Sequence, residues 1–265
     1  MGKEKIDAAF ARVFSKGDKA FVPYIMAGDG GVEQLAEQIS FLEESGATVV
    51  ELGIPFSDPV ADGPVIQEAG IRALQNGTTL TGILDSLEKG KMTRKIPIVL
   101  MTYFNLIYFY GIEKFAKRCV EVGVDGLIIP DLPLEEEELV TPELSKQNIA
   151  LIRLVAPTSP QNRIEEIAKH TEGFLYAVTV KGTTGARNQY EAGVESYLAD
   201  LKKYSQAPVL AGFGVSSPEQ VKSLSSHCDG VIVGTKIVDL LFKGERKEIA
   251  QLIAASKKDA AKITL

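Results

Sequence analysis

Residues 49–64 read Val-Val-Glu-Leu-Gly-Ile-Pro-Phe-Ser-Asp-Pro-Val-Ala-Asp-Gly-Pro, and they hold the densest chemistry in the chain. The apolar run 49–54 follows a helical pattern that stops at Gly46, which predicts a buried parallel strand. One carboxylate, Glu51, stands in the middle of that run. A carboxylate is costly to bury unless it is paired or put to use, so Glu51 is a candidate acid or base. The loop after the strand carries Pro55, Pro59 and Pro64 together with Asp58 and Asp62. Proline fixes φ and stiffens such a loop, so acids held there keep a defined position beside Glu51. A paired core ion followed by ordinary Asp-Pro and Asp-Gly turns fits the same spacing.

Outward from this stretch the chain alternates between two periods. Strand-like apolar runs fall at 21–27, 49–54, 96–103, 126–130, 149–156, 174–180, 208–213 and 230–234. Helical patterns lie between them. Leu35, Ala36, Ile39 and Leu42 form one face, 65–74 and 80–89 two more pieces, and Ile112, Phe115, Ala116, Cys119 and Val122 another. An acidic helix is expected after Asp131-Leu132-Pro133. Thr158-Ser159-Pro160 and Ser217-Pro218-Glu219 open two further helices, each with a proline near its first position. Ile6, Ala9, Phe10, Val13 and Phe14 predict an extra amphipathic helix ahead of the first strand.

Strands alternating with helices mean a parallel sheet with right-handed crossovers. Eight such units in 265 residues, with no linker or composition shift, predict one α/β domain over 1–265: a closed (β/α)₈ TIM barrel with an added N-terminal helix. An open dinucleotide-binding sheet would want G-x-G-x-x-G after its first strand, and Gly28-Asp29-Gly30-Gly31 does not fit it.

Composition narrows the function classes. The hydrophobic content of 45% is that of an ordinary soluble protein, and a net charge of −6 leaves no basic footprint for nucleic acid. No apolar run approaches the roughly 20 residues of a membrane span, and the N-terminus lacks a signal-peptide core. Cys119 and Cys228 stand far apart and outside any metal-ligand spacing, which predicts reduced core thiols in a cytoplasmic protein without a metal site. His170 and His227, near predicted helix ends, are expected to serve there rather than in catalysis.

In a barrel of this type the chemistry gathers at the strand C-termini. That places Glu51, the Pro55–Pro64 loop, Tyr103, Asp131, the Lys181–Arg187 loop, Gly212–Gly214 and Gly234-Thr235 on one face. A phosphate group commonly binds beyond strands seven and eight, where glycine lets backbone N–H groups approach an anion. Gly182 and Gly185, flanking Thr183-Thr184, would let that loop bend over the ligand as a lid. Strand-end glycines that merely turn the chain are the alternative. The acidic run Glu135 to Glu138 reads most simply as a solvated helix start. The aromatics Tyr103-Phe104 and Tyr108-Phe109-Tyr110 read as core, with a few free to line an apolar pocket.

The 51–64 motif resembles the signature of the tryptophan synthase α subunit family. Phe21-Val22-Pro23-Tyr24, Asp131-Leu132-Pro133-Leu134-Glu135, Gly185, Gly212-Phe213-Gly214 and the Gly234 turn follow in that family's order, so the resemblance covers essentially the whole chain. It implies a carbon–carbon lyase performing retro-aldol cleavage of indole-3-glycerol phosphate to indole and glyceraldehyde 3-phosphate. By resemblance, Glu51 is the general acid/base at the indole ring carbon and the glycerol hydroxyl, and Asp62 holds the indole N–H. Tyr24, Leu100, Phe213 and Tyr176 match positions around the indole pocket. Gly185, Gly214, Gly234 and Thr235 match the phosphate site. Thr184 matches a lid residue contacting the loop of Pro55, Phe56, Asp58 and Asp62.

The resemblance also implies a partner, a PLP-containing β subunit in an α₂β₂ heterotetramer. Indole passes to it through a tunnel for tryptophan synthesis, with no cofactor in this chain. The 55–64 loop, the Asp131–Glu135 segment and the 181–187 lid would communicate with that subunit. Four positions depart from the family pattern. Gly30 replaces a usual proline and is expected to loosen its turn, Thr235 replaces serine, Thr183 replaces valine, and Tyr24 adds a hydroxyl to an apolar pocket. The competing readings are a stand-alone indole-3-glycerol phosphate lyase, a catalytically idle regulatory subunit, and a barrel enzyme acting on another sugar phosphate.

Overall fold

The computed structural model describes residues 2–179, 193–212 and 214–258. Among them, β1 (Ala20–Met26), β2 (Val50–Gly53), β3 (Ile98–Met101), β4 (Gly126–Ile128), β5 (Ala150–Val155), β6 (Leu175–Val178), β7 (Val209–Gly212) and β8 (Gly230–Val233) close into a parallel barrel in sequence order. The helices are α1 (Lys3–Phe14), α2 (Leu35–Glu44), α3 (Pro64–Gln75), α4 (Leu80–Gly90), α5 (Phe104–Tyr110) and α6 (Ile112–Val122). They continue as α7 (Thr141–Lys146), α8 (Gln161–His170), α9 (Val194–Tyr204), α10 (Pro218–Ser225), α11 (Thr235–Lys243) and α12 (Arg246–Ala254). The expected (β/α)₈ architecture with its leading helix is therefore present.

Strand register decides which side chains face inward. Tyr24 pairs with Glu51, and Glu51 with Val99, so all three project to the barrel interior. The interior core holds Val22, Val49, Val99, Ile128, Ile152, Tyr176, Leu210 and Ile232. The alternate residues, such as Leu52, Leu100 and Leu127, pack outward against the helix layer. Ile6 and Phe10 of α1 join the interior cluster, where Phe10 meets Phe174 at 5.8 Å, so the leading helix plugs the end opposite the strand C-termini. Asp125 fixes that plug. Its buried carboxylate accepts from the Gly2 and Ile98 amides at 3.0 Å each and stands 3.4 Å from the Lys5 ammonium.

Several elements differ from their sequence expectation for identifiable reasons. Strand β3 ends at Met101 because the Asp131 carboxylate accepts from the Phe104 amide at 2.9 Å and starts α5 there. The aromatics expected as core lie partly on that helix, with Tyr108 68% and Phe109 92% exposed. The acidic run is exposed at Glu135, Glu136 and Glu138 as expected, but it forms a 3₁₀ segment, Leu134–Leu139, instead of an α-helix start. Glu137 is buried and receives the Arg153 guanidinium (Nε to Oε1, 2.8 Å), while Glu135 pairs with Arg163. The turn at Gly30 is pinned rather than loosened. Gly30 sits at φ +92°, which proline cannot adopt, and the Gln34 side chain donates to its carbonyl at 2.7 Å. Pro160 occupies the N-cap of α8, whereas Ser217 caps α10 as expected by accepting from the Gln220 amide.

Both cysteines are free and buried. His170 closes α8, and His227 lies 3.4 Å from Glu195, so neither histidine joins the strand C-termini. Among the described residues no helix is long and apolar enough to cross a membrane.

Removing the Asp125 carboxylate leaves two buried amides without acceptors and detaches the N-terminal plug. Asp125→Ala is expected to lower unfolding free energy by about 3 kcal/mol, measured by urea denaturation. An unchanged midpoint would mean that α1 is held by its apolar face and its remaining polar contacts, such as Lys3 with Glu172, without Asp125.

Candidate active site

The C-terminal ends of the strands surround a cavity of about 300 Å³ that holds both acids singled out in the sequence. Glu51 enters it from β2 because the register turns that side chain inward. It is 1% exposed, and among the described residues neither carboxylate oxygen has a hydrogen-bond partner. Val65, Ile66, Met101, Pro130, Leu154 and Ile232 make most of the surrounding wall apolar. Burial first, and the neighbouring Asp62 charge second, push the Glu51 carboxyl up to about 8. Glu51 is thus a neutral acid at pH 7.

Asp62 reaches the same cavity from the loop after β2. Pro55 is buried and Phe56 stacks on the Tyr103 ring at 5.1 Å, while Asp58 points to solvent and takes a hydrogen bond from Ser57. None of these three lines the cavity; they shape the loop. The Tyr103 hydroxyl accepts from the Ala61 amide at 2.9 Å and donates to Asp62 Oδ2 at 3.3 Å. Burial raises the Asp62 carboxyl to about 6, with the Tyr103 hydrogen bond opposing. At pH 7 the pair therefore presents one protonated and one ionised carboxyl.

Two tyrosines roof the acids, and two glycines make room for them. A Cβ on Gly53 would stand 2.0 Å from the Tyr24 hydroxyl, and one on Gly212 would stand 2.2 Å from the Tyr176 ring. The absent Gly212 side chain therefore serves Tyr176 rather than an approaching anion, which corrects that part of the sequence reading. Tyr24 and Tyr176 line the cavity, and burial with nearby carboxylates holds both phenols protonated.

The wall also includes Gly214, Val215, Ser216, Gly234 and Thr235. Thr235 begins α11, whose first-turn amides have no intrahelical acceptor and carry the positive end of the dipole. An anion fits there.

One pocket expectation fails. Leu100 packs outward into the helix-facing core, and Met101 next to it reaches the cavity instead. An all-apolar strand buried on both sides carries no alternation to fix its parity, so sequence could not separate these neighbours. Met101, Ile66, Leu154, Ile232 and Ser216 were likewise missed. Phe213, Thr183, Thr184 and Gly185 lie outside the described residues.

Comparison with known proteins bears on the whole chain. The family model described as tryptophan synthase alpha chain matches residues 10–263. A relative from Oceanobacillus iheyensis, named tryptophan synthase alpha chain, is 56% identical over 256 residues, covering 97% of this chain and 98% of the relative. Tryptophan synthase from Mycobacterium tuberculosis superposes with a TM-score of 0.88 at 30% identity, covering 95% of this chain and 98% of that one. Tryptophan synthase subunit alpha from Legionella pneumophila gives 0.84 at 32% identity, covering 98% and 99%.

The raised carboxyls make stability depend on pH. Each is raised above its ordinary value (4.5 for Glu51, 3.8 for Asp62), so the native state holds protons that the unfolded chain releases. Stability therefore falls as pH climbs from about 4 to about 8. Glu51→Gln should flatten this slope and melt above wild type at pH 8, at roughly 2–4 °C per kcal/mol regained. Parallel melting curves for the two proteins from pH 5 to pH 8.5 would contradict a buried neutral Glu51.

Proposed function

The chain belongs to the tryptophan synthase alpha chain family, and from that footing we propose that Glu51 and Asp62 divide the acid–base work of cleaving indole-3-glycerol phosphate. The observation that carries this reading is Glu51: a buried carboxyl without a partner among the described residues, held as the acid beside an ionised Asp62. Protonated Glu51 gives its proton to the indole ring carbon that bears the glycerol chain. Positive charge then develops on the ring, and the Asp62 carboxylate holds the ring N–H and stabilises it. The Glu51 carboxylate next takes the proton of the adjacent hydroxyl. That oxygen forms the aldehyde C=O, the C–C bond breaks, and its electron pair returns to the ring. Indole and glyceraldehyde 3-phosphate leave with Glu51 protonated again.

The remaining residues bind and orient. In this reading Tyr24, Tyr176, Met101, Ile66 and Leu154 enclose the indole and Gly214, Gly234 and Thr235 take the phosphate, with Gly185, outside the described residues, joining them by family resemblance. Thr235 keeps the hydroxyl of the usual serine, so the substitution preserves that donor. Phe213 belongs with the indole pocket and Thr184 with the lid by family resemblance.

In this reading the whole chain, 1–265, is one domain in an α₂β₂ heterotetramer. PLP belongs to the β subunit, since proton transfers by side chains account for every bond change here. Val60 of the 55–64 loop and Phe109 of α5 are exposed, and covering by that subunit would bury them. A cytoplasmic setting agrees with two buried free thiols.

The decisive experiment measures indole release from indole-3-glycerol phosphate with and without a β subunit. Wild type is expected to turn over slowly alone and faster with partner. Glu51→Gln should lose about 10²–10⁴-fold in both settings. Fast turnover without partner would favour a stand-alone lyase. The pH profile of kcat/KM should be bell-shaped, with limbs near 6 for Asp62 ionisation and 8 for Glu51 deprotonation. Tyr103→Phe removes the hydrogen bond that lowers the Asp62 value, so the acid limb should move upward. An unmoved limb would assign it to another group.

A further inference from the structure

Besides the two tyrosines, four ionisable side chains line the cavity among the described residues: Glu51, Asp62, Asp239 and Lys236. A phosphorylated substrate thus brings a dianion into a site where three of these four groups are carboxyls. Asp239 is already engaged by the Lys243 ammonium at 2.8 Å. Lys236 is the one cation of the lining among the described residues, and it immediately follows Thr235 in the first turn of α11. Its ammonium stands 3.6 Å from Glu248 Oε2 on α12, beyond hydrogen-bond length. The Lys236 side chain is 29% exposed and that of Glu248 53%, so the pair is screened by water and weakly held. A lysine ammonium on a flexible four-carbon stem can leave such a partner for a stronger one, and phosphate is the stronger one.

We propose that Lys236 is a phosphate-binding residue that exchanges Glu248 for the phosphate of the substrate, with Glu248 acting as the competing counter-ion that limits affinity. The inference rests on the placement of phosphate at Gly214, Gly234 and Thr235. Backbone amides and a helix terminus supply partial charges there, and Lys236 adds the full charge that a dianion needs beside three carboxyl groups. The arrangement gives the two partners opposite signs. Losing Lys236 weakens anion binding, whereas losing Glu248 frees Lys236 and tightens it. A purely structural tie between α11 and α12 would instead make both losses act alike, on stability and not on affinity.

Calorimetric titration with glycerol 3-phosphate, and with glycerol as uncharged control, tests this on the full chain. Lys236→Met is expected to weaken glycerol 3-phosphate about tenfold, Lys236→Arg to hold it within about threefold, and Glu248→Gln to tighten it two- to threefold. In turnover, Lys236→Met should raise KM for indole-3-glycerol phosphate by a similar factor, so that KM carries the loss in kcat/KM. Raising salt should shrink the difference between wild type and Lys236→Met. Unchanged affinity in Lys236→Met, or weakened affinity in Glu248→Gln, overturns the assignment. Should Lys236→Met fail to fold, Lys236→Gln and the Glu248→Gln titration decide the same question. Glycerol 3-phosphate that does not compete with indole-3-glycerol phosphate in wild type overturns the phosphate placement itself. Competition that persists but ignores Lys236 overturns only the role of Lys236.

Discussion

The structure depends on keeping one carboxyl group dry. Glu51 projects into the barrel with no hydrogen-bond partner among the described residues, and it tolerates this only as the neutral acid. The apolar wall of the cavity and the hydroxyl-bearing rings that line it with Glu51 follow from that constraint. Gly53 and Gly212 sit where any side chain would collide with Tyr24 or Tyr176, so the roof over Glu51 is built from absences in the strands as much as from the rings. Asp62, one loop away, keeps a hydrogen bond from Tyr103 and titrates lower. Two carboxyls in one cavity thus take separate protonation states because Glu51 is the more deeply buried and feels the Asp62 charge, while Asp62 keeps a hydrogen bond from Tyr103.

The scaffolding around this pair is made of polar anchors that join distant parts of the chain. Asp131, after β4, starts α5 by capping Phe104, and Tyr103 just before that helix both stacks on Phe56 and holds Asp62. The catalytic loop is thereby tied to the two strands that follow it in the barrel. Arg72 of α3 clasps Asp29 through two hydrogen bonds of 2.7 Å and lies 4.1 Å over the Phe242 ring, linking the first loop to α3 and α11. At the opposite end, Asp125 serves the plug in the same way. Among the described residues, Asp29, Asp125 and Asp131 each join elements far apart in sequence.

In the proposed reading, the placement of the acids and of the α11 N-terminus lets one small cavity serve both an apolar ring and a phosphate. The strand interior supplies the apolar wall, since its residues must pack in any case. The anion end is built of backbone and a helix terminus, which tolerate charge without burying a cation. Lys236 lines the same cavity from the first turn of α11 and is within reach of Glu248 on α12.

The eight alternating units, the leading helix, Glu51 and Asp62 were legible from sequence, because strand and helix periods and an out-of-place carboxylate are local signals. The family motif supplied their roles, which no spacing could. Local pattern could not tell Leu100 from Met101: a strand buried on both faces has no polar side to mark which way it points. Nor could it foresee that Glu137 and Glu135 would meet Arg153 and Arg163, or that α5 would expose Phe109, since those depend on what folds alongside. The sequence by itself determined the order of elements and the identity of the acids, both written in neighbouring residues. Register across the closed barrel, and with it the direction of each side chain and the proton on Glu51, was decided only by tertiary structure, because burial and electrostatic environment are properties of residues brought together from the whole chain.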